Sequence, residues 1–137
     1  MKSPEKVVNH IVDWLKNYLE TSKIKGFVVG VSGGIDSAVT STLCARTGAP
    51  VLCLEMEIHQ EENQVSRALD HIQWLEKNYK NVSHHSITLT PLFESFVKGL
   101  PPTEKNEEQL LSLANTRARL RMSTLYYFAA LHNYLVA

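Results

Sequence analysis

Apolar residues near the start of the chain recur every three or four positions: Val7, Val8, Ile11, Val12, Leu15, Tyr18 and Leu19. That period predicts an amphipathic helix, with Ser3 as its N-cap and Pro4 in its first turn. The pattern then changes. Phe27-Val28-Val29-Gly30-Val31 is short, continuous and rich in β-branched residues, as expected of a strand buried on both faces of a parallel sheet. Over 37–46, the small residues Ala38, Ser41 and Ala45 with Val39, Leu43 and Cys44 suit a helix lying close on a sheet, and Gly48 can take the left-handed position past its end. Val51-Leu52-Cys53-Leu54 reads as a second buried strand, completing a right-handed strand, helix, strand unit.

Residues 55–60 read as loop and 61–79 as a third helix, with Val65, Ala68, Leu69, Ile72 and Leu75 on one face and an acidic start that suits the helix dipole. Alternation around Ser86, Ile87 and Thr88 predicts a third strand over 84–89, followed by a short helix over 91–97. Gly99, Pro101 and Pro102, set among charges in 98–106, predict a surface loop or lid. Beyond it, Leu110, Leu113, Ala114, Ala118, Met122, Leu125, Ala129 and His132 keep helical spacing, predicting one long helix or two joined ones over 106–136. Strands alternating with helices predict an α/β fold, a parallel sheet flanked by helices, with residues 1–137 forming one domain.

Composition narrows the partners. The chain has 137 residues, 14 Lys+Arg against 14 Asp+Glu, and no formal net charge at pH 7. At this size roughly two-thirds of the unfolded surface can be buried without disulfide staples. Balanced charge excludes a broad electrostatic grip on nucleic acid or on an anionic membrane. No apolar run approaches the ~18 residues needed to span a bilayer, and the first residues hold no apolar signal core, so a cytoplasmic location is expected. Cys44 and Cys53 stand at no metal-ligand spacing and read as buried reduced thiols.

The candidate chemistry lies in Ser32-Gly33-Gly34-Ile35-Asp36-Ser37, where the first strand ends and a helix begins. That is where α/β sheets bind ligands. Two glycines let the backbone approach an anion, and the N–H groups of the turn and of the first helical residues converge on it. Ser32 and Ser37 add hydroxyls. The loop lacks the lysine of the Walker A cradle and is not the dinucleotide fingerprint either. Something else must neutralise phosphate, and Asp36 points to a bridging Mg2+. The plainer reading of Asp36 is a helix cap. Gly30-Val31-Ser32-Gly33-Gly34 also matches the nucleophile elbow of α/β hydrolases, which would make Ser32 a nucleophile served by a downstream acid and histidine. The elbow makes no demand for Asp36 or Ser37, whereas a phosphate cradle uses all six residues.

Ser-Gly-Gly-Ile-Asp-Ser resembles the pyrophosphate loop of the ATP pyrophosphatases, the Rossmann-like adenine nucleotide α-hydrolase-like group. It includes NAD synthetases, GMP synthetases and tRNA-modifying enzymes, and the loop alone does not choose among them. The helix preceding the first strand, and Ala114-Asn115-Thr116-Arg117-Ala118-Arg119-Leu120-Arg121-Met122 with its N-x-x-A-R-x-R-M pattern, are similar to NAD synthetases. The resemblance implies a ligase that amidates deamido-NAD with ATP and ammonia through an adenylated intermediate, releasing AMP and pyrophosphate. It implies that Gly30, Val31, Ser32, Gly33, Gly34, Ile35, Asp36 and Ser37 hold ATP, and that Asp36 binds Mg2+. It further implies that Arg119 contacts deamido-NAD, that 56–60 lie near the adenine pocket, and that the enzyme is a homodimer. The chain begins too close to its first strand for an appended glutaminase, so free ammonia, or ammonia from a separate glutaminase, is the expected nitrogen source. Family members run roughly twice as long, so the chain is expected to be an N-terminal portion, possessing half a site and serving alternatively as a nucleotide-binding module inactive alone.

Three of the five arginines fall at 117, 119 and 121. On a helix Arg117 and Arg121 share a face, while Arg119 points away from them toward the side of Asn115 and Met122. A guanidinium there can grip phosphate or carboxylate with two hydrogen bonds, or pair with glutamates of another helix or subunit. Glu55, Glu57, Glu61 and Glu62 read as a solvated helix start, and the pair His84-His85 as structural.

Overall fold

The computed structural model describes residues 3–137. Helix α1 (Pro4–Ser22) leads to β1 (Gly26–Gly30), α2 (Ile35–Arg46), β2 (Val51–Glu57), α3 (Glu62–Asn78) and β3 (Val82–Thr88). Then come α4 (Thr90–Lys98), α5 (Glu107–His132) and β4 (Tyr134–Val136). All four strands are parallel, in the order β3-β2-β1-β4. The chain therefore steps outward from β1 to β3, then returns through α4 and α5 to add β4 on the other side of β1. This is the α/β architecture expected from the alternation of elements.

Strand pleating divides the core into two layers. Phe27, Val29, Val31, Val51 and Cys53 face Leu19, Cys44, Ala45, Ala68, Ile72 and Leu75 of α1, α2 and α3. Val28, Leu52, Leu54, Met56 and Ile58 face Leu89 and Phe93 and Ala129 of α5. Both faces of β1 and β2 are thus dry, which is why these strands read as unbroken apolar runs. Burial pushes the thiols of Cys44 and Cys53 up to about 12, so both stay protonated.

Several boundaries differ from the sequence reading. β2 continues to Glu57 instead of yielding to loop at Glu55, because Glu55, Met56 and Glu57 pair in register with Ser86, Ile87 and Thr88. Periodicity could not reveal this, since the strand turns from apolar to alternating as it leaves the core. The last residues are not helical. Asn133 takes a left-handed conformation (φ 59), its carbonyl accepts from the Lys25 N–H at 2.9 Å, and β4 then pairs with β1. Three residues are too few for a strand pattern to emerge from the end of a helical one. Gly48 does occupy the left-handed position after α2 (φ 80), and Asn106 caps α5 by accepting from the Gln109 N–H at 2.9 Å. Ser3 stands at the cap position of α1 without a side-chain cap bond. Among the described residues, no helix is long and apolar enough to cross a membrane.

Candidate nucleotide-binding site

β1 ends at Gly30, and the Val31 N–H makes a last sheet-like bond to the Leu54 carbonyl at 2.8 Å. The chain then turns through Ser32 and Gly33 to Gly34, the N-cap of α2. Gly33 is left-handed (φ 87), and a Cβ there would sit 2.6 Å from the Gln64 carbonyl oxygen in the first turn of α3. Only glycine fits, on both counts. Gln64 secures the same turn by donating from Nε2 to the Ser32 carbonyl at 3.2 Å.

The two serines close the loop on itself. The Ser32 N–H donates to Ser37 Oγ at 3.1 Å, the two hydroxyl oxygens lie 3.2 Å apart, and the Gly34 N–H donates to Ser32 Oγ at 3.3 Å. The first hydrogen bond of α2 runs from the Ala38 N–H to the Gly34 carbonyl at 3.3 Å. The N–H groups of Ile35, Asp36 and Ser37 therefore have no acceptor within the helix, and with the positive end of its dipole they make a place that can receive an anion. The nucleophile elbow receives no such support: Ser32 bonds to Ser37, and the imidazole that reaches a serine is His71, 2.9 Å from the buried Ser41.

Asp36 is the second residue of α2 and is exposed, so it is not the helix cap; Gly34 is. Among the described residues no group of three His, Cys, Asp or Glu side chains could hold a metal. A lone carboxylate beside a phosphate cradle nevertheless fits Mg2+, which commonly takes one or two protein carboxylates and completes its shell with substrate phosphates and water.

Next to the loop, above the carboxyl ends of β1 and β2, lies a cavity of about 330 Å3. Gly30 forms part of its floor: a Cβ there would meet the Met56 terminal methyl at 3.3 Å and the Leu125 methyls at 3.8 Å, so a side chain would crowd this space. Ser32 lines it from the loop, Gln60 and Gln64 from the β2–α3 side, and Arg121 and Leu125 from α5. Met56 and Gln60 thus belong to the region that the resemblance associates with adenine. Two larger openings lie elsewhere, about 440 Å3 between α1, α2 and α3, and about 650 Å3 beneath the 98–106 loop.

The arginines separate as helix geometry requires. Arg117 and Arg121 face inward; Arg117 lies over the Phe93 ring at 5.4 Å, and Arg121 donates its Nε–H to the Met56 carbonyl at 3.0 Å. Arg119 is exposed and does not line the cavity. Arg121 is the cavity-lining residue that sequence reading passed over. Its signal was the missing loop lysine combined with a shared face with Arg117. Burial, followed by the neighbouring Arg117 charge, lowers the pKa of Arg121, with Glu57 and Glu55 opposing; a guanidinium keeps its charge regardless.

The acidic segment is not a uniformly solvated helix start. Glu55 is 6% exposed, and its Oε2 is buried without a hydrogen-bond partner. Burial, then the charge of Glu57, raises its pKa above the ordinary glutamate value. Glu57 accepts from the hydroxyls of Thr88 at 2.6 Å and Thr90 at 3.0 Å, and the Thr88 bond leads the causes that hold its pKa down. His84 and His85 split across the pleat, the first 2.8 Å from Glu76 through Nδ1, the second packed on Phe128 at 5.3 Å between ring centres.

The family model described as NAD synthase matches residues 7–137. The chain belongs to the NAD synthase family. It is 32% identical over 139 residues to the NH(3)-dependent NAD(+) synthetase of Carboxydothermus hydrogenoformans, covering 97% of this chain and 53% of that protein. To the enzyme of the same name from Methanocaldococcus jannaschii it is 33% identical over 137 residues, covering 99% and 51%. Among solved structures it superposes on the NMN synthetase of Francisella tularensis with a TM-score of 0.84 at 32% identity, covering 99% of this chain and 54% of that one. For the NH3-dependent NAD synthetase of Campylobacter jejuni the TM-score is 0.81 at 32% identity, covering 96% and 54%. The chain spans about half the length of the curated relatives it matches. Within this NAD synthase family member, the glycine-rich loop and the cavity stand at the carboxyl edge of the sheet.

Proposed function

We propose that this chain is the ATP-binding portion of an ammonia-dependent synthetase that converts the nicotinate carboxylate of deamido-NAD into the amide of NAD. The observation that carries the proposal is the self-closed loop of Ser32 to Ser37 at the start of α2, an anion cradle with a carboxylate beside it and no lysine within it. A carboxylate resists direct attack by ammonia because its oxygen is a poor leaving group. A nicotinate oxygen therefore bonds to the α-phosphorus of ATP while the α–β bridging P–O bond breaks. Pyrophosphate departs, and the nicotinate becomes an acyl adenylate. Ammonia then adds to the acyl carbon, AMP leaves with the bridging oxygen, and a proton passes to solvent.

The chain's own groups act by position and charge. N–H groups of residues 35–37 and the hydroxyls of Ser32 and Ser37 donate to the departing pyrophosphate, worth most where water is excluded. Met56 and Leu125 offer an apolar wall for the base beside Gly30. Asp36 would hold Mg2+, which when bound supplies charge neutralisation to the phosphates. No side chain needs to become a covalent nucleophile.

The acceptor site extends to a second copy of the chain. Arg119 stands on the outward side of α5 with Leu111, Met122 and Tyr126, which are 64%, 55% and 59% exposed. An apolar stripe of this kind on a 26-residue helix suits a homodimer, in which Arg119 reaches the acceptor at the joint of two subunits. The likeness to an NMN synthetase supports a second acceptor, the mononucleotide counterpart of deamido-NAD, with the same chemistry at the carboxylate. The test of the cradle is calorimetric titration of the folded chain with Mg-ATP, followed by competition with pyrophosphate. Binding displaced by pyrophosphate is expected; a folded chain that binds neither would remove the nucleotide reading.

A further inference from the structure

We infer that Arg121 is the phosphate counter-charge of this site, delivered from α5 in place of the lysine that the loop lacks. The inference rests on the nucleotide reading above and adds to it the residue that meets the triphosphate's charge. Between Ser32 and Ser37 the only charged side chain is Asp36, itself an acid, so the loop brings hydrogen bonds to a polyanion but no side-chain cation. Among the described residues, Arg121 is the one cation lining the cavity, which Gly30 and Ser32 also line.

Its orientation is fixed by the sheet. β2 outruns β1 at the carboxyl edge, because β1 stops at Gly30 and β2 continues to Glu57. The Met56 carbonyl accepts the Arg121 Nε–H at 3.0 Å where no strand partner from β1 remains. That bond uses one of five guanidinium donors. Among the described residues it is the only hydrogen bond of this side chain, and no carboxylate lies within ion-pair distance of it. A half-buried guanidinium with four free donors beside an anion cradle is arranged for phosphate, where planar donors bind two oxygens at once. Arg117, one turn earlier on the same face, adds positive potential while its own guanidinium stays over Phe93.

The experiment compares Arg121→Met and Arg121→Lys with the unaltered chain by titration with three probes, adenosine, ATP and pyrophosphate, alongside thermal melting. Arg121→Met is expected to weaken ATP and pyrophosphate at least tenfold and to leave adenosine within twofold, with Arg121→Lys recovering part of the loss. Equal loss of adenosine and ATP would make Arg121 a strand-end support only, and unchanged ATP binding by Arg121→Met would overturn the inference outright. If Arg121→Met does not fold, Arg121→Lys decides: full affinity for adenosine with reduced affinity for pyrophosphate supports the assignment, while parallel loss of both contradicts it. Because the unaltered chain is titrated in the same series, failure of the nucleotide reading shows as absent ATP binding there, separately from any effect of the variants.

Discussion

Gly33 and Gln64 meet more closely than any side chain would allow: a Cβ on Gly33 falls 2.6 Å from the Gln64 carbonyl oxygen. The glycine-rich loop is therefore seated on the first turn of α3, at a position where Gly33 is left-handed (φ 87). Gly33→Ala should destabilise the fold by about 1–3 kcal/mol through strain and displacement of the loop. It should also weaken ATP binding. Thermal melting with ATP titration checks both, and an alanine variant with unchanged melting and affinity would show that the loop is not so constrained.

Asp36 tests the metal assignment separately from the fold. It is exposed and lies outside the cap position, and its carboxylate makes no hydrogen bond or ion pair among the described residues. Asp36→Asn should change stability by no more than about 0.5 kcal/mol while weakening Mg2+-dependent ATP binding about tenfold or more. ATP binding with an unaltered Mg2+ dependence would remove Asp36 from metal binding.

How far this was readable in advance depended on where each residue's reason lay. β1, α2 and the start of β2 are legible because both strand faces are dry, so Phe27, Val29, Leu52 and Leu54 leave a continuous apolar signature. The loop is legible because its glycines and serines follow one another directly. Arg121 was not, since its importance comes from the unequal lengths of two strands remote from it in the chain. Glu55 was misread because its neighbours in space, Ser86 across the sheet and Glu57 two residues on, matter more than its place in an acidic run.

Glu55 and Glu57 predict opposite pH effects. The raised pKa of Glu55 means that its contribution is fully present below the unfolded glutamate value and is lost as pH rises through the folded one. Glu55→Gln should therefore stabilise the chain at pH 7.5, with the gain shrinking toward pH 4. Glu57 is depressed, so its contribution is present above the unfolded value and is lost as pH falls through the folded one. Glu57→Gln should cost stability at pH 7.5 and lose that effect in acid. Melting curves of both variants across pH 4 to 8 read the two signs; the same sign for both would contradict the burial and hydrogen-bond assignments.

The outward stripe of α5 predicts self-association. Tyr126→Glu places a charge among Leu111, Met122 and Arg119, on a position already 59% exposed in the single chain. Sedimentation should show the unaltered chain as a dimer and the variant as a folded monomer with near-native melting. Identical sedimentation of the two as monomers would remove the interface.

The most direct measurement follows the phosphorus of ATP. With the whole synthetase to which this portion is proposed to belong supplied with ATP, Mg2+, deamido-NAD and ammonium, 31P NMR should show AMP and pyrophosphate rising together, with NAD formed in equal amount. Formation of ADP and phosphate instead, or no AMP from that folded synthetase when it binds ATP, would contradict adenylation at this site.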